Sequence, residues 1–568
     1  MGFMVSPGVS VVERDLSTYI PAMATSVAAY VGSAKSGPVW QRVLTTSERN
    51  YADTFGTPNE TTYEDFFTCS SFLSYGNSLY FTRVVDKSTA KNTKLSCYSG
   101  ITAPVSGTGD YVEYHNPEKI LNASGVAFAP TFGSYGLLLY AKYPGSYYNA
   151  KVKLTLVNKT EYDLALAGTT DYSPYMSFIS DPITSIDEYI VLVSTADIES
   201  KTDTVEGTYS VEEVFKVSTI SSKVDSFGNN MYIDEVLNKS SKYIMSFHNT
   251  AVTAELAAFI AQSPGGGLNG TAPSPGDISL GYDLYRNPEE IDVNIIIGGA
   301  NTTASIALNI DDICQSRKDC IGVLNVQKSD VVLVASAATA LTNVTTYRKT
   351  TLNINSSYSA LYGNWFKIND KYNDKKRWIP SSGAVAGIFA YTDFVTDPWF
   401  APAGLNRGIL RNVLELAINP DQATRDSLYL NQINPIVSFP GQGITIWGQK
   451  TLQTKPSAFD RINVRRLFLV LEKGIATAAK YFVFEPNDPF SQSMFKNMVE
   501  PFLKDIKGRR GVYDFAVDVS ATVNTPERID RNEFWAEIYI SPTKAAEFLT
   551  LRFNATRTGV NFAELTGK

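Results

Sequence analysis

Apolar and polar residues alternate near the C-terminus and predict a β-strand over residues 547–556. Leu549, Leu551 and Phe553 fall on one face of this strand, and polar side chains occupy the other. No neighbouring segment supplies a hairpin partner. Because an unpaired strand exposes a row of backbone donors and acceptors, this segment must pair with something distant.

A second predicted strand lies near the N-terminus. Val9, Val11 and Glu13 belong to a short β-branched run that follows the turn signal Pro7-Gly8. If the partners of both terminal strands are other copies of the chain, strand addition would join the copies into a polymer. The two ends therefore favour a polymer-forming structural protein.

Residues 23–90 show the alternation of an α/β domain. Apolar runs at 26–32 and 79–85 predict buried strands, and helical patterns begin near Ser47 and Thr62. Residues 91–249 then change character.

That middle stretch is rich in Ser, Thr, Tyr and Gly, and it contains short alternating runs at 150–157, 189–193 and 211–217. It predicts an exposed, β-rich insertion. The α/β pattern returns after residue 250, with a helix predicted over 253–262 and a strand–helix–strand unit over 293–326. Such a unit is typical of a parallel strand pair.

The last third of the chain is denser in helix. One apolar helical face runs from Leu410 to Ala417, a second from Val464 to Ile475, and a third from Phe490 to Ile506. Pro501 lies inside the third and should kink it, since proline removes a backbone donor. Strands are predicted over 512–519 and 534–540.

Composition narrows the classes of partner. A net charge of −7 over 568 residues argues against a protein that coats nucleic acid. Aromatic residues make up 12% of the chain, which fits either extensive subunit contacts or Tyr-rich β domains. The four cysteines form no CxxC pair, so the sequence predicts neither a zinc site nor a disulfide framework.

No apolar run approaches the ~18 residues of a membrane span, and the N-terminus has no basic-then-apolar leader. We therefore expect assembly in a reducing cytoplasm without membrane insertion.

No residue pattern in the sequence predicts catalytic chemistry. His115 and His248 have no metal-binding or catalytic spacing, and both are expected to be solvated. Residues 265–270 match GxGxxG by letter, but prolines flank them where the fingerprint needs a strand and a helix. We predict no catalytic residue, no metal and no cofactor.

Basic residues cluster on the third predicted helix and just beyond it. Five basic residues stand here against two acidic ones: Lys496, Lys504, Lys507, Arg509 and Arg510. They are either solvated cations near a helix C-terminus or a patch that docks on an acidic partner. Exposed ion pairs contribute only ~0–1 kcal/mol each, which suits a releasable contact.

An ordered set of motifs resembles the tail sheath protein of contractile-tailed bacteriophages, most closely the T-even type. Individually weak, the motifs together are highly specific and cover most of 1–90 and 280–568. They include residues 6–9, 54–58, 72–77, 83–85, 143–146, 378–392, 402–408, 433–435, 447–451, 459–467 and 529–534. Residues 90–250 match poorly and look shorter than the T-even outer domains.

The resemblance implies stacked six-subunit rings around a tail tube, which shorten when the baseplate triggers them and drive the tube through the host envelope. It implies the tail tube, baseplate and tail terminator proteins as partners, besides other copies of the chain, and a place in the virion after assembly in the host cytoplasm. In that family both termini insert as strands beside a neighbour's C-terminal sheet. The family's inner domain touches the tube through a C-terminal-domain helix, for which Lys496 to Arg510 is the candidate region.

We therefore predict a multidomain α/β and α+β protein. Its parts are a strand arm (1–22), an α/β domain (23–90 with 250–350), a β-rich outer insertion (91–249), a C-terminal sheath core of mixed sheet and helices facing the tube (351–545) and a second strand arm (546–568). Two alternatives stay open: the sheath of a phage-tail-like bacteriocin or secretion system, and a nucleotide-binding enzyme suggested by the strand–helix–strand unit over 293–326.

Overall fold

The structure is a computed structural model that describes residues 24–99, 103–168, 170–198 and 205–551. The described residues fall into two compact units, 24–481 and 482–551. This division lies inside the segment 351–545 that we predicted as one core. The predicted N-terminal strand with Val9, Val11 and Glu13 lies outside the described residues, as does Phe553.

The first unit opens with the predicted α/β elements. They are β1 (Ala28–Gly32), β2 (Val43–Thr45), α1 (Glu48–Phe55), α2 (Tyr63–Leu73) and β3 (Leu79–Arg83). The Ser47 hydroxyl accepts a hydrogen bond from the Asn50 backbone N–H, which starts α1 at the position that the sequence indicated.

A β-rich insertion follows β3, as predicted. Its elements are β4 (Lys94–Cys97), β5 (Val105–Ser106), β6 (Glu113–Asn116), β7 (Lys119–Leu121), β8 (Leu137–Ala141), α3 (Tyr147–Lys151), β9 (Val152–Val157), α4 (Lys159–Leu166), β10 (Glu188–Ile198), β11 (Val205–Ser218), α5 (Ile233–Ser240), β12 (Ile244–His248) and β13 (Phe259–Gln262). Two four-stranded sheets, β11-β10-β9-β13 and β12-β8-β4-β5, share one apolar core. The insertion is thus a sandwich of two sheets.

The helix predicted over 253–262 is wrong. Residues 259–262 form β13 instead, which pairs antiparallel with β9 and places Phe259 in the core of the sandwich. Pairing with the free edge of β9 outweighs the local helical preference of an Ala-rich segment.

The remainder of the first unit returns to alternating helices and strands. It comprises α6 (Pro275–Asp283), β14 (Ile295–Ile297), α7 (Ala304–Arg317), β15 (Ile321–Asn325), α8 (Lys328–Val331), α9 (Ala337–Thr346), β16 (Ser359–Tyr362), β17 (Trp365–Asp370), β18 (Lys375–Pro380), α10 (Ser382–Val395), β19 (Glu415–Leu416), α11 (Gln422–Leu430), β20 (Ile433–Asn434), β21 (Ile436–Phe439), β22 (Gly443–Ile446) and α12 (Ile462–Ala479). The helix predicted from Leu410 to Ala417 is wrong. That segment bonds to β22 through the Leu410 N–H and to β17 through β19.

A seven-stranded sheet organises the first unit, in the order β2-β3-β1-β14-β15-β16-β20. Only β2 runs antiparallel to its neighbour, and β14 and β15 form the predicted parallel pair. Helices α2 and α10 cover one face of the sheet, and α6 and α7 cover the other. Both faces are therefore buried, which explains the continuous apolar runs in these strands.

The second unit is a helix packed on a strand pair. It contains α13 (Pro489–Gly508), β23 (Val512–Asp518), α14 (Pro526–Asp530) and β24 (Glu537–Pro542). Strands β23 and β24 pair antiparallel, and α13 packs on β23. Both strands and the helix follow the prediction, except that β24 begins three residues later than expected. Pro501 lies inside α13.

Candidate functional site

The strand order of the large sheet creates one crevice where α/β proteins often bind ligands. The chain passes from β1 to β3 on one side and then to β14 on the other, so β1 and β14 flank a topological switch point. If the protein were a nucleotide-binding enzyme, this is where its ligand would lie.

Side chains of the protein itself fill that crevice. The Tyr30 hydroxyl donates to Asp65, which also accepts the Ser33 backbone N–H at 2.7 Å and the Asn301 amide at 3.3 Å. The backbone N–H of Gly299 donates to Ser382 Oγ at 3.1 Å. Two backbone donors at this switch point, the N–H groups of Ser33 and Gly299, are therefore already occupied, which disfavours the nucleotide-binding alternative.

Asp65 gives this buried cluster a pH dependence. Burial raises the pKa of the Asp65 carboxyl to about 6, although the hydrogen bonds from its three donors lower that pKa. A raised carboxyl pKa means that the folded state holds the proton more tightly than the unfolded chain. The contribution of Asp65 to stability is therefore complete below its unfolded pKa and is lost as the pH rises towards about 6.

We expect the Asp65→Asn variant to lack this slope. The difference in free energy of unfolding between wild type and variant should shrink as the pH rises from about 4 through about 6 and should level off towards pH 8. Urea unfolding of both proteins at each pH measures it. A difference that is independent of pH would contradict the assignment.

The two histidines and the Gly-rich loop lie in three different settings. His248 was predicted to be solvated and is instead buried, because α5 packs over β12, and its backbone N–H donates to Asp234 at 2.8 Å. His115 is partly exposed, with Nε2 2.7 Å from Glu113. Residues 265–270 pair with 91–94 and precede α6 only after a separate Ser274 cap.

The second unit carries the features that suit self-assembly. Among the described residues, β23 and β24 pair only with each other, so both outer edges of this two-stranded sheet are open. A strand pair of this kind is marginally stable alone and accepts additional strands readily. The sequence did not predict these open edges, because whether a strand edge is paired depends on strands from distant parts of the chain.

The segment that follows β24 is where the C-terminal strand was predicted. Its described part, 543–551, forms no strand within the chain. Phe548, Leu549 and Leu551 are 84%, 82% and 67% exposed. Three large apolar side chains therefore lie in solvent, in the same unit as the β23–β24 pair.

The five predicted patch residues all lie on α13 or directly after it, but most are neutralised within the chain. Lys496 lies 3.6 Å from Glu500, Lys507 2.8 Å from Asp514, and Arg509 3.5 Å from Asp505. Lys504 and Arg510 have no ion-pair partner in the part of the chain that the structure describes. As an electrostatic surface the patch is therefore weaker than the sequence suggested.

The chain is thus a multidomain protein. It has a doubly wound α/β sheet with a filled switch point, a sandwich insertion and a small unit whose strand edges are unpaired among the described residues. Residues 285–452 match the model for the phage tail sheath protein central domain, and residues 454–556 match the model for the phage tail sheath C-terminal domain.

Full-length relatives agree with these matches. The tail sheath protein of Vibrio phage KVP40 is 33% identical over 99% of this chain and 100% of its own length, and that of Enterobacteria phage T4 is 30% identical over 99% of each. The chain belongs to the family of phage tail sheath proteins. Its role is that of a structural subunit of a contractile tail sheath. The family that the sequence motifs indicated is therefore confirmed.

Solved sheath structures share the fold at low identity. The sheath tail protein of Listeria innocua superposes with a TM-score of 0.52 at 10% identity, covering 92% of this chain and 96% of that one. The contracted helical sheath of the anti-feeding prophage gives 0.50 at 13% identity, covering 98% and 100%. The predicted multidomain α/β fold is thereby confirmed. The alignment to the KVP40 protein spans 689 positions against 568 residues here, so that relative carries insertions absent from this chain.

Proposed function

We propose that six copies of this chain form a ring, that the rings stack around a tail tube, and that the stack shortens to drive the tube through the host envelope. In this proposal the partners are other copies of the chain, the tail tube, the baseplate and the tail terminator. Assembly takes place in the host cytoplasm, and the protein has no enzymatic role. Full-length similarity to sheaths of phages supports a phage tail over a bacteriocin.

One observation carries the proposal: the β23–β24 edges, unpaired among the residues that the structure describes, lie in the same unit as the exposed Phe548, Leu549 and Leu551. The strand arms of neighbouring copies would extend this sheet, using Val9, Val11 and Glu13 at one end and Leu549, Leu551 and Phe553 at the other. Each added strand satisfies a row of backbone groups and buries one apolar face. The arms then act as tethers that hold copies together while rings rotate and approach.

Contraction in this scheme is a change between two packings of one polymer. Interfaces with two discrete arrangements switch cooperatively. The filled switch point and the two covered faces of the large sheet suit this role, since a close-packed unit moves as a rigid body. The sandwich insertion (91–249 in the predicted division) would lie on the outside, and α13 would face the tube.

Electron microscopy of the purified full chain tests the proposal. We expect hollow, striated cylinders with sixfold end views once the concentration exceeds a threshold. A chain that stays monomeric at every concentration, with and without tail tubes, would contradict it.

A further inference from the structure

One loop of the first unit carries two cations and no acidic residue, and we call residues 398–414 the basic loop. Its cations are Arg407 and Arg411, and the nearest carboxylates in the sequence are Asp397 and Glu415. Neither arginine has an ion-pair partner within the described ranges 24–99, 103–168, 170–198 and 205–551. Three large apolar side chains of the loop are exposed as well: Leu405 at 36%, Ile409 at 42% and Leu414 at 54%. A surface that is both apolar and basic indicates contact with an acidic partner.

Aromatic rings hold both arginines of the basic loop in place. The guanidinium of Arg411 lies 5.2 Å from the ring centroid of Tyr75 and 5.1 Å from that of Tyr391. The guanidinium of Arg407 lies 5.3 Å from the ring centroid of Phe400. A guanidinium that is already oriented loses less conformational freedom when it binds a carboxylate. The loop is therefore pre-organised for such a contact.

A surface cleft in the same unit has the opposite charge, and we call it the acidic cleft. It has a volume of about 450 Å³ and is lined by the end of α6, the segment that follows α6 and the residue before β2. Leu284 and Pro288 give it apolar surface. On or beside its rim stand four carboxylates and two guanidinium groups, which leaves two negative charges: Asp283, Glu289, Glu290, Asp312, Arg42 and Arg286. The cleft thus complements the basic loop in charge and in apolar surface.

The basic loop and the acidic cleft lie on opposite sides of the seven-stranded sheet. Leu410 and Val413 of the loop pack into the core on the side of α2 and α10. Tyr285 and Ile291, from the segment that lines the cleft, pack into the core on the side of α6 and α7. The sheet therefore separates the loop of a chain from the cleft of the same chain. A second copy offers the complementary surface, and contact between two different surfaces joins copies head to tail.

We propose that the basic loop of one copy docks in the acidic cleft of a neighbouring copy, with Arg407 and Arg411 against the carboxylates of the cleft. This contact rests on the proposed function, in which copies of the chain form rings, and it is separate from the exchange of strand arms. Arms that act as tethers let copies shift, whereas contact between fixed side chains sets the angle between them. Because the contact is ionic, it weakens as the salt concentration rises.

Charge reversal on each surface tests this pairing in the full-length chain. R407E/R411E makes the loop acidic, and E289R/E290R makes the cleft basic. Each variant alone then brings surfaces of like charge together. An equimolar mixture in which the two variants alternate restores opposite charges at every contact. K349E/K376E is the matched control, because it reverses two exposed lysines that have no ion-pair partner in the described part of the chain.

Sedimentation and electron microscopy give the protein concentration for half-maximal cylinder formation, at about 0.1 M and about 0.5 M NaCl. We expect each reversal alone to need at least about tenfold more protein than wild type, and the equimolar mixture to need less than about threefold more. The control should match wild type, and the concentration that wild type needs should rise with salt.

Three results would overturn the inference while the proposed function stands. They are reversal variants that assemble like wild type, a mixture that assembles no better than its components, and a control that is impaired as strongly as the reversals. A wild-type concentration that is the same at both salt concentrations would also overturn it. Failure of wild type to form cylinders, with and without tail tubes, would overturn both the inference and the proposed function.

Discussion

A variant that lacks residues 1–15 and 544–568 should fold and yet form no cylinders. Strand β24 ends at Pro542, so the deletion leaves the β23–β24 pair and α13 intact. What it removes is the predicted arm strand residues Val9, Val11 and Glu13 at one end and the whole C-terminal arm, with the exposed Leu549 and Leu551, at the other. Without strands to add, the open edges of one copy have nothing from another copy to pair with. Polymerisation should fall below detection in electron micrographs and in sedimentation.

Two controls separate loss of the arms from loss of folding. L549D/L551D places charge on the face that should pack against a neighbour, and we expect it to impair polymerisation almost as strongly. L430D introduces one charge at a residue of the first unit that is 75% exposed, and it should polymerise normally. Cylinders formed by the doubly trimmed chain would refute strand exchange as the link between copies.

The largest expected effect on stability comes from the Arg466–Asp393 ion pair. Arg466 on α12 contacts both Asp393 oxygens of α10 at 2.6–2.7 Å, and both side chains are almost fully buried. Burial raises the pKa of Asp393 despite the nearby guanidinium. Arg466→Met would leave the buried Asp393 carboxylate without its ion-pair partner, and we expect a loss of about 3–5 kcal/mol in the free energy of unfolding.

A double variant provides the matched control. R466M/D393L replaces the pair with apolar side chains and should recover most of the loss, because no uncompensated charge remains. The defect of R466M alone should also shrink at pH 5, where Asp393 takes up a proton more easily. Urea unfolding of the unassembled chain at pH 7 and pH 5 measures both effects. Equal stability of R466M and wild type at pH 7 would show that the pair contributes little.

Elements with strong local periodicity were predictable from the sequence. The apolar runs of β1, β14 and β15 were predictable because both faces of these strands are buried. The helical faces of α12 and α13 were predictable because one buried face repeats at a fixed spacing. Predictions failed where pairing over long distance decided the outcome. Residues 259–262 became a strand because β9 had a free edge.

The features of the candidate site also fall into those that the sequence predicts and those that it does not. By itself, the sequence determined the family, the α/β and β-rich character of the segments, and the two chain ends as candidate strands, because motif order and periodicity are properties of the chain. Only the tertiary structure decided that Lys507 pairs with Asp514, that Asp65 fills the switch point, and that no other strand of the described chain pairs with the β23–β24 edges. Charge neutralisation, cavity filling and unpaired edges each depend on residues brought together from distant parts of the chain, and no local pattern encodes which ones meet.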